Sequence, residues 1–288
     1  MNIDDLVRGS IDMHVHHGPG TGEYRMDALD TARHASQMGI RAIVLKNHNY
    51  DTAPLAMMVS KLVPDIKVFG SICLDYEAGG FNSYALEASA KLGARVVWMP
   101  TYSASNWTAE KDRATGAIIK GQGLSILNAE HKLVPEVSKI LSIVKEYDMI
   151  LANGHISPIE TFVLVEEALK IGIAKLVITH AHIIPVKFEQ TFSLEDQYRL
   201  GQMGAFIEYG YFALLPNEIR EDPQNVISGV KSVGAQHCII STDLGQYDNP
   251  PAAEGMRMFI ALLLKNGITQ GEIELMAKIN PAKLLGLD

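Results

Sequence analysis

Four histidines and one aspartate sit where a metal ion could be gripped. His14 and His16 are two apart in SIDMHVH (10–16), an apolar, β-prone run, so in a strand both side chains project to one face. His155 closes MILANGH (149–155), His180 lies at the end of KLVITHA (175–181), and Asp243 ends HCIISTD (237–243). Imidazole is the commonest neutral nitrogen ligand for zinc and similar metals, and a carboxylate adds charge and basicity. One histidine at a strand end usually only makes a hydrogen bond. Four of them with an aspartate predict a divalent metal site: zinc first, manganese or iron as alternatives, with one or two ions.

Other side chains fall near the same strand ends. Lys46, in RAIVLKN (41–47), could bridge two ions, bind a substrate anion, or lie on the surface with its stem along the barrel edge. His48 is open between touching substrate or a ligand and making a loop hydrogen bond. His182 projects alongside His180 and could meet substrate or cap the next helix. Glu208, Tyr209 and Tyr211 close the run GAFIEYG (204–210) or follow it, and Glu208 and Tyr211 are the substrate-binding candidates, with packing as the alternative. Asp75 and Glu77 are of the same kind, whereas His17 points away from its neighbours and reads as structural. Cys73 and Cys238 lie in apolar runs, so they read as small buried hydrophobes in a reducing cytoplasm rather than a disulfide framework.

These positions make sense only if strands carry them to one place. Eight strand-like runs recur: the five above, with KVFGSICL (67–74), ARVVWMP (94–100) and GAFIEYG. Helical periodicity follows each, over 27–38, 53–63, 82–92, 134–147, 157–171, 193–203, 222–233 and 251–266. Ser157-Pro158 and Asp222-Pro223 are helix starts, and glycines such as Gly39, Gly93 and Gly172 stop helices just before a strand. Near-continuous apolar strands alternating with helices predict a parallel sheet covered by helices, and eight such units predict a (β/α)8 barrel of one domain over 1–288. The strand ends of a barrel share one mouth, where active sites form. Residues 101–133 are an insertion after the fourth strand, with a β-hairpin expected to turn at Gly121-Gln122-Gly123. A C-terminal helix follows from 269. The apolar YFALLP (211–216) is expected to be a lid or an interface patch for a homo-oligomer.

Composition narrows the function classes. Hydrophobic residues at 47% support a large core, and a net charge of -8 argues against nucleic-acid or membrane-surface binding, leaving a small-molecule substrate. The N-terminus lacks the basic start and apolar core of a signal peptide, and no apolar run is long enough for a membrane span, so a soluble, cytoplasmic protein is expected.

As a set, D-M-H-V-H, N-G-H, T-H-A-H and S-T-D at strands one, five, six and eight resemble the amidohydrolase superfamily, as does the closing N-P-A-K-L-L-G-L (280–287). The resemblance implies that His14, His16, His155, His180 and Asp243 form the metal centre and that Asp243 takes a proton from the attacking water. It implies metal-dependent hydrolysis of a C–N or C–O bond in a small cyclic amide, lactone or related carboxylic derivative. Binuclear members bridge their ions with a lysine or glutamate on strand four, and RVVWMPT has neither. A single ion is then favoured, with His180 acting on substrate or water. AIVLKNHN also resembles a motif of the PHP phosphoesterases, although Asn47 replaces its acid and STDLG lacks the histidine that follows in that family. A phosphoesterase and a single-metal decarboxylase are the alternatives.

Overall fold

The computed structural model describes residues 2–107, 123–182, 190–217 and 220–287. Eight parallel strand positions follow one another: β1 (Ile11–His16), β2 (Ala42–Lys46), β3 in two pieces (Lys67–Phe69 and Ser71–Cys73), β4 (Val96–Trp98), β5 (Ile150–Ala152), β6 (Leu176–Ile178), β7 (Phe206–Gly210) and β8 (Cys238–Ser241). Each pairs with the next in parallel register, and the chain itself joins the two pieces of β3 at Gly70. The ring closes where β8 runs out: Asp243 N donates to His14 O at 2.9 Å and His16 N to Leu244 O at 2.8 Å. This is the (β/α)8 barrel that the alternation predicts.

The helices lie where periodicity and capping put them. After the short α1 (Ile3–Val7), which sequence reading missed, come α2 (Ala28–Gln37), α3 (Ala53–Leu62), α4 (Ser83–Lys91) and α5 (Pro135–Glu146). They are followed by α6 (Pro158–Lys170), α7 (Leu194–Gln202), α8 (Pro223–Val233) and α9 (Ala252–Lys265). Ser157 caps α6 in a reciprocal capping box with Glu160. The Glu160 carboxylate also accepts from Ser125 Oγ and Ile126 N, tying the returning end of the insertion to this helix. The expected hairpin turn at Gly121-Gln122-Gly123 involves residues 121 and 122, which lie outside the described residues.

The core has two layers. Inside the barrel Ile11, Met13, Val44, Val96, Trp98 and Ile239 pack together, and the tail helix Asn280–Leu285 closes the bottom with Ala282, Leu284 and Leu285. Burying such a leucine contributes on the order of 1.5–3 kcal/mol. Asn280 anchors this plug by donating to Ala235 O at 2.8 Å and Cys238 O at 2.7 Å. The larger apolar layer fills the space between strands and helices.

Two features of the strands aim the site residues. In β1 the register slips between Asp12 and Val15: two residues there face one on β2. Ile11 and Met13 face the barrel interior while Val15 packs into the helix layer, so the slip turns His14 and His16 inward. Gly154 has φ +60°, and a Cβ there would fall 2.2 Å from Met99 O, so only glycine lets β5 lie against β4 and deliver His155.

Among the described residues no helix is long and apolar enough to cross a membrane. The run 211–216 is not an exposed patch. Tyr211, Ala213, Leu214 and Leu215 are buried within the chain, which removes the basis for an interface there.

Candidate metal centre

His14, His16 and Asp243 meet at the mouth. Asp243 Oδ1 is 3.0 Å from His14 Nε2 and 3.0 Å from His16 Nε2, and all three side chains are buried. Their ligand atoms lie within 4.8 Å of one another, close enough to share an ion. His180 joins from the side, with Nδ1 3.9 Å from Asp243 Oδ2 and its ring 5.5 Å from that of His14. His155 stands next to His180, ring to ring at 5.0 Å. All five residues singled out by the sequence therefore share one mouth, with three in the tightest group and His155 outermost.

The backbone is strained at this point. His180 and Asp243 both adopt positive φ, 58° and 56°, a region uncommon for residues with side chains and concentrated at functional sites. Asp12 holds the joint. It accepts from Thr242 N at 3.0 Å, Thr242 Oγ1 at 2.5 Å and His14 N at 3.2 Å, locking the ends of β1 and β8 together. Its burial pushes the carboxyl up to about 7 despite these bonds. Sequence reading missed Asp12, although a lone acid inside the apolar IDMHVH was the available signal.

Electrostatically the mouth calls for a cation. Burial alone would raise the Asp243 carboxyl, but His14 and His16 outweigh it and hold it well below the usual range. Burial also works against ionised Glu208, whose neighbour His14 nevertheless draws its pKa down. Glu208 Oε2 lies 3.3 Å from His14 Nδ1, so this candidate for substrate binding orients a histidine instead. Burial holds His16 well below its usual range and takes His180 down to about 3, leaving their ring lone pairs available. Burial also opposes a proton on His14, but Asp243 and Glu208 prevail and raise its pKa.

Lys46 is not on the surface. It is 0% exposed, with Nζ 3.0 Å from His14 Nε2 and 4.5 Å from the centre of the Trp98 ring. The surface reading fails because β2 ends facing the interior, in line with Ala42 and Val44. His48 lies within the mouth, its ring stacked on Tyr102 at 3.9 Å and on His16 at 5.0 Å. Nearby Cys73, expected only as a buried hydrophobe, forms a second close group with His48 and Asp75. There Asp75 already accepts from Thr101 N, Ser103 N and the Thr101 hydroxyl.

The remaining candidates separate by position. His182 Nε2 donates to Gly210 O at 3.2 Å, and Nδ1 is buried with no partner among the described residues. Tyr211 packs on the Phe259 ring at 5.4 Å, in the helix layer rather than against the centre. Tyr209 donates to Gln197 at 2.9 Å, and His17 donates from Nδ1 to Gly18 O, a structural bond as expected. Trp107, from the insertion, packs with Phe212 around Ala213 after β7 and against the His155 ring at 4.7 Å. The insertion thereby reaches across the mouth to the 211–216 loop.

The donor set suits a divalent metal: two imidazole nitrogens and a carboxylate oxygen already converge, and Glu208 directs His14 from behind. Solved structures share the architecture along almost the whole chain. One is an amidohydrolase from Pseudomonas aeruginosa (12% identity, 99% of this chain and 98% of that one, TM-score 0.66). Another is a probable 2-pyrone-4,6-dicarboxylic acid hydrolase from Acinetobacter baumannii with citric acid bound (16% identity, 96% and 99%, TM-score 0.60). A third is a 2,6-dihydroxybenzoate decarboxylase from Rhizobium (12% identity, 98% and 99%, TM-score 0.60). At these identities the likeness shows the barrel fold. No curated protein sequence matches the chain. A family model described as a family of unknown function, DUF6282, matches residues 9–208, well over half of the sequence, and the chain belongs to that family.

Proposed function

We propose that this protein is a metal-dependent hydrolase that cleaves a C–N or C–O bond of a small cyclic amide, lactone or related carboxylic derivative. The observation that carries the reading is the convergence of His14 Nε2 and His16 Nε2 on Asp243 Oδ1, each at 3.0 Å. Zinc suits two imidazoles and a carboxylate. A divalent ion held there supplies a water of lowered pKa and polarises the bond to be cut.

The protein's own groups do the rest. Asp243 directs Oδ1 at the two histidines and keeps Oδ2 on the side of His180. Oδ2 accepts the proton of the attacking water and returns it to the leaving group. Lys46 and His180 flank this position and hold the substrate's carbonyl or carboxylate, with Lys46 offering a fixed charge in a site shielded from water. Glu208 keeps the His14 ring in place.

One ion fits better than two. On β4, the strand that carries the bridging ligand in binuclear members, the indole of Trp98 packs against both His14 and Lys46. The unpaired buried cysteines Cys73 and Cys238 fit a reducing compartment such as the cytoplasm.

The test is turnover of a panel of lactones, cyclic amides and phosphate esters by zinc-loaded protein in 18O-labelled water. Label in a carboxylate product supports the proposal. The decarboxylase activity of the Rhizobium neighbour raises decarboxylation as the rival, and carbon dioxide release with no label in the organic product would establish it instead.

A further inference from the structure

Three groups beside the metal centre form a chain whose proton positions can be worked out. Asp75 is fully buried at the end of β3. Its Oδ1 accepts from Thr101 N at 2.7 Å and Ser103 N at 2.9 Å, and its Oδ2 lies very close to Thr101 Oγ1. Thr101 Oγ1 is in turn 2.6 Å from His48 Nδ1, which also lies 3.4 Å from Asp75 Oδ2. Burial would raise the Asp75 carboxyl, but hydrogen bonds from His48, Thr101 and Ser103 outweigh it and keep it ionised, so it has no proton to give.

The hydroxyl has one proton. An ionised carboxylate only accepts, so Thr101 Oγ1 is the donor in its hydrogen bond with Asp75 Oδ2. Its oxygen is then an acceptor towards His48, and Nδ1 carries the imidazole proton. The other ring nitrogen, Nε2, is left as a bare acceptor, and among the described residues no group donates to it. The ring cannot turn freely, since it stacks on Tyr102 at 3.9 Å and on His16 at 5.0 Å.

We propose that Asp75 and Thr101 are positioning residues that fix His48 as its Nδ1–H tautomer, and that His48 Nε2 accepts a hydrogen bond from a hydroxyl or N–H group of the substrate. With Lys46 as the neighbouring donor, the mouth offers one cationic donor and one neutral acceptor. The complementary ligand is a carboxyl or carbonyl compound with a hydroxyl or amide N–H close to that group. Plain esters and unsubstituted lactones lack this donor and would leave Nε2 unpaired, which a buried site penalises. This selectivity rests on the substrate-binding mouth proposed above, whereas the tautomer assignment does not depend on which bond is cut.

The experiment is long-range 1H–15N NMR of histidine-labelled, zinc-loaded protein, followed by titration with lactate and with propanoate. The expected result is the Nδ1–H pattern for His48 in the wild type and a mixed or Nε2–H pattern in the Asp75→Leu, Thr101→Val double variant, which removes both acceptors facing Nδ1. Lactate should bind roughly tenfold more tightly than propanoate, consistent with one hydrogen bond in a shielded site. That preference should vanish in His48→Phe and persist in His48→Gln, which keeps an acceptor near the Nε2 position. A wild-type Nε2–H pattern overturns the assignment whether or not any variant folds. An equal lactate preference in wild type and His48→Phe overturns the substrate contact. If both results hold but no panel compound is hydrolysed, the reaction proposal falls and this one stands.

Discussion

Glu208 Oε2 stands 3.3 Å from His14 Nδ1, while the opposite ring nitrogen of His14 faces Asp243 Oδ1 at 3.0 Å. A histidine held between two carboxylates in this way has one nitrogen fixed as a donor and the other aimed at the centre. Glu208→Gln keeps the shape and removes the charge, so zinc affinity is expected to fall about 10–100-fold. Competition against a chromophoric chelator measures it, and unchanged affinity would show that Glu208 does not support the ligand.

In the proposed reaction Asp243 has two tasks, one on each oxygen. Asp243→Asn retains an oxygen for the ion but cannot take a proton. Turnover is expected to fall by at least about 10²-fold, the typical share of general base catalysis, with a smaller loss of zinc. Steady-state kinetics alongside metal analysis separates the two effects.

Lys46 is buried with its ammonium beside His14 and over Trp98. Lys46→Met keeps the stem's volume and removes the charge. If the ammonium holds the substrate's carboxylate, KM for an anionic substrate should rise about tenfold or more while KM for a neutral lactone changes less. Equal changes for both would assign Lys46 to stability instead.

The contribution of His14 to the pH dependence should have opposite signs with and without metal, whereas His16 and His180, with lowered pKa values, make the ion-free protein more stable as pH rises. In the ion-free protein His14 has a raised pKa, so its proton stabilises the fold below the unfolded value of 6.5, and that contribution is lost as pH rises through the folded value. In the zinc-loaded protein the same proton competes with the ion, so stability should rise with pH over that interval. Asp243 and Glu208 have lowered pKa values and titrate in a more acidic range in the ion-free protein. The difference in melting temperature between wild type and His14→Ala, from about pH 5 to 8 with zinc and with EDTA, tests the sign.

Gly154→Ala should destabilise the barrel by at least about 2 kcal/mol, since φ is +60° and the added Cβ would sit 2.2 Å from Met99 O. Chemical denaturation gives the value.

Much of this was legible in the sequence because strand and helix periods are local. All eight strands appear where apolar runs fall, and helix ends follow Ser157-Pro158, Asp222-Pro223 and the glycine stops. The candidate site was legible because a parallel barrel gathers its strand ends, so His14 and Asp243 needed no knowledge of the intervening chain to be placed together. Other features depend on pairing across strands. The slip in β1 that turns His14 inward exists only relative to β2, and the role of Asp12 exists only once Thr242 lies beside it. Lys46 could be bridge, anchor or surface residue until the interior face of β2 was known. The Asp75–Thr101–His48 chain joins three different loops, so its partners carry no shared spacing.

The most direct test of the central claim is metal stoichiometry. Protein stripped with chelator, incubated with zinc and freed of excess should retain about one ion per chain by elemental analysis, and His14→Ala and Asp243→Ala should each retain far less. Wild-type protein that holds no zinc, or a His14→Ala variant that holds as much as wild type, would contradict the account.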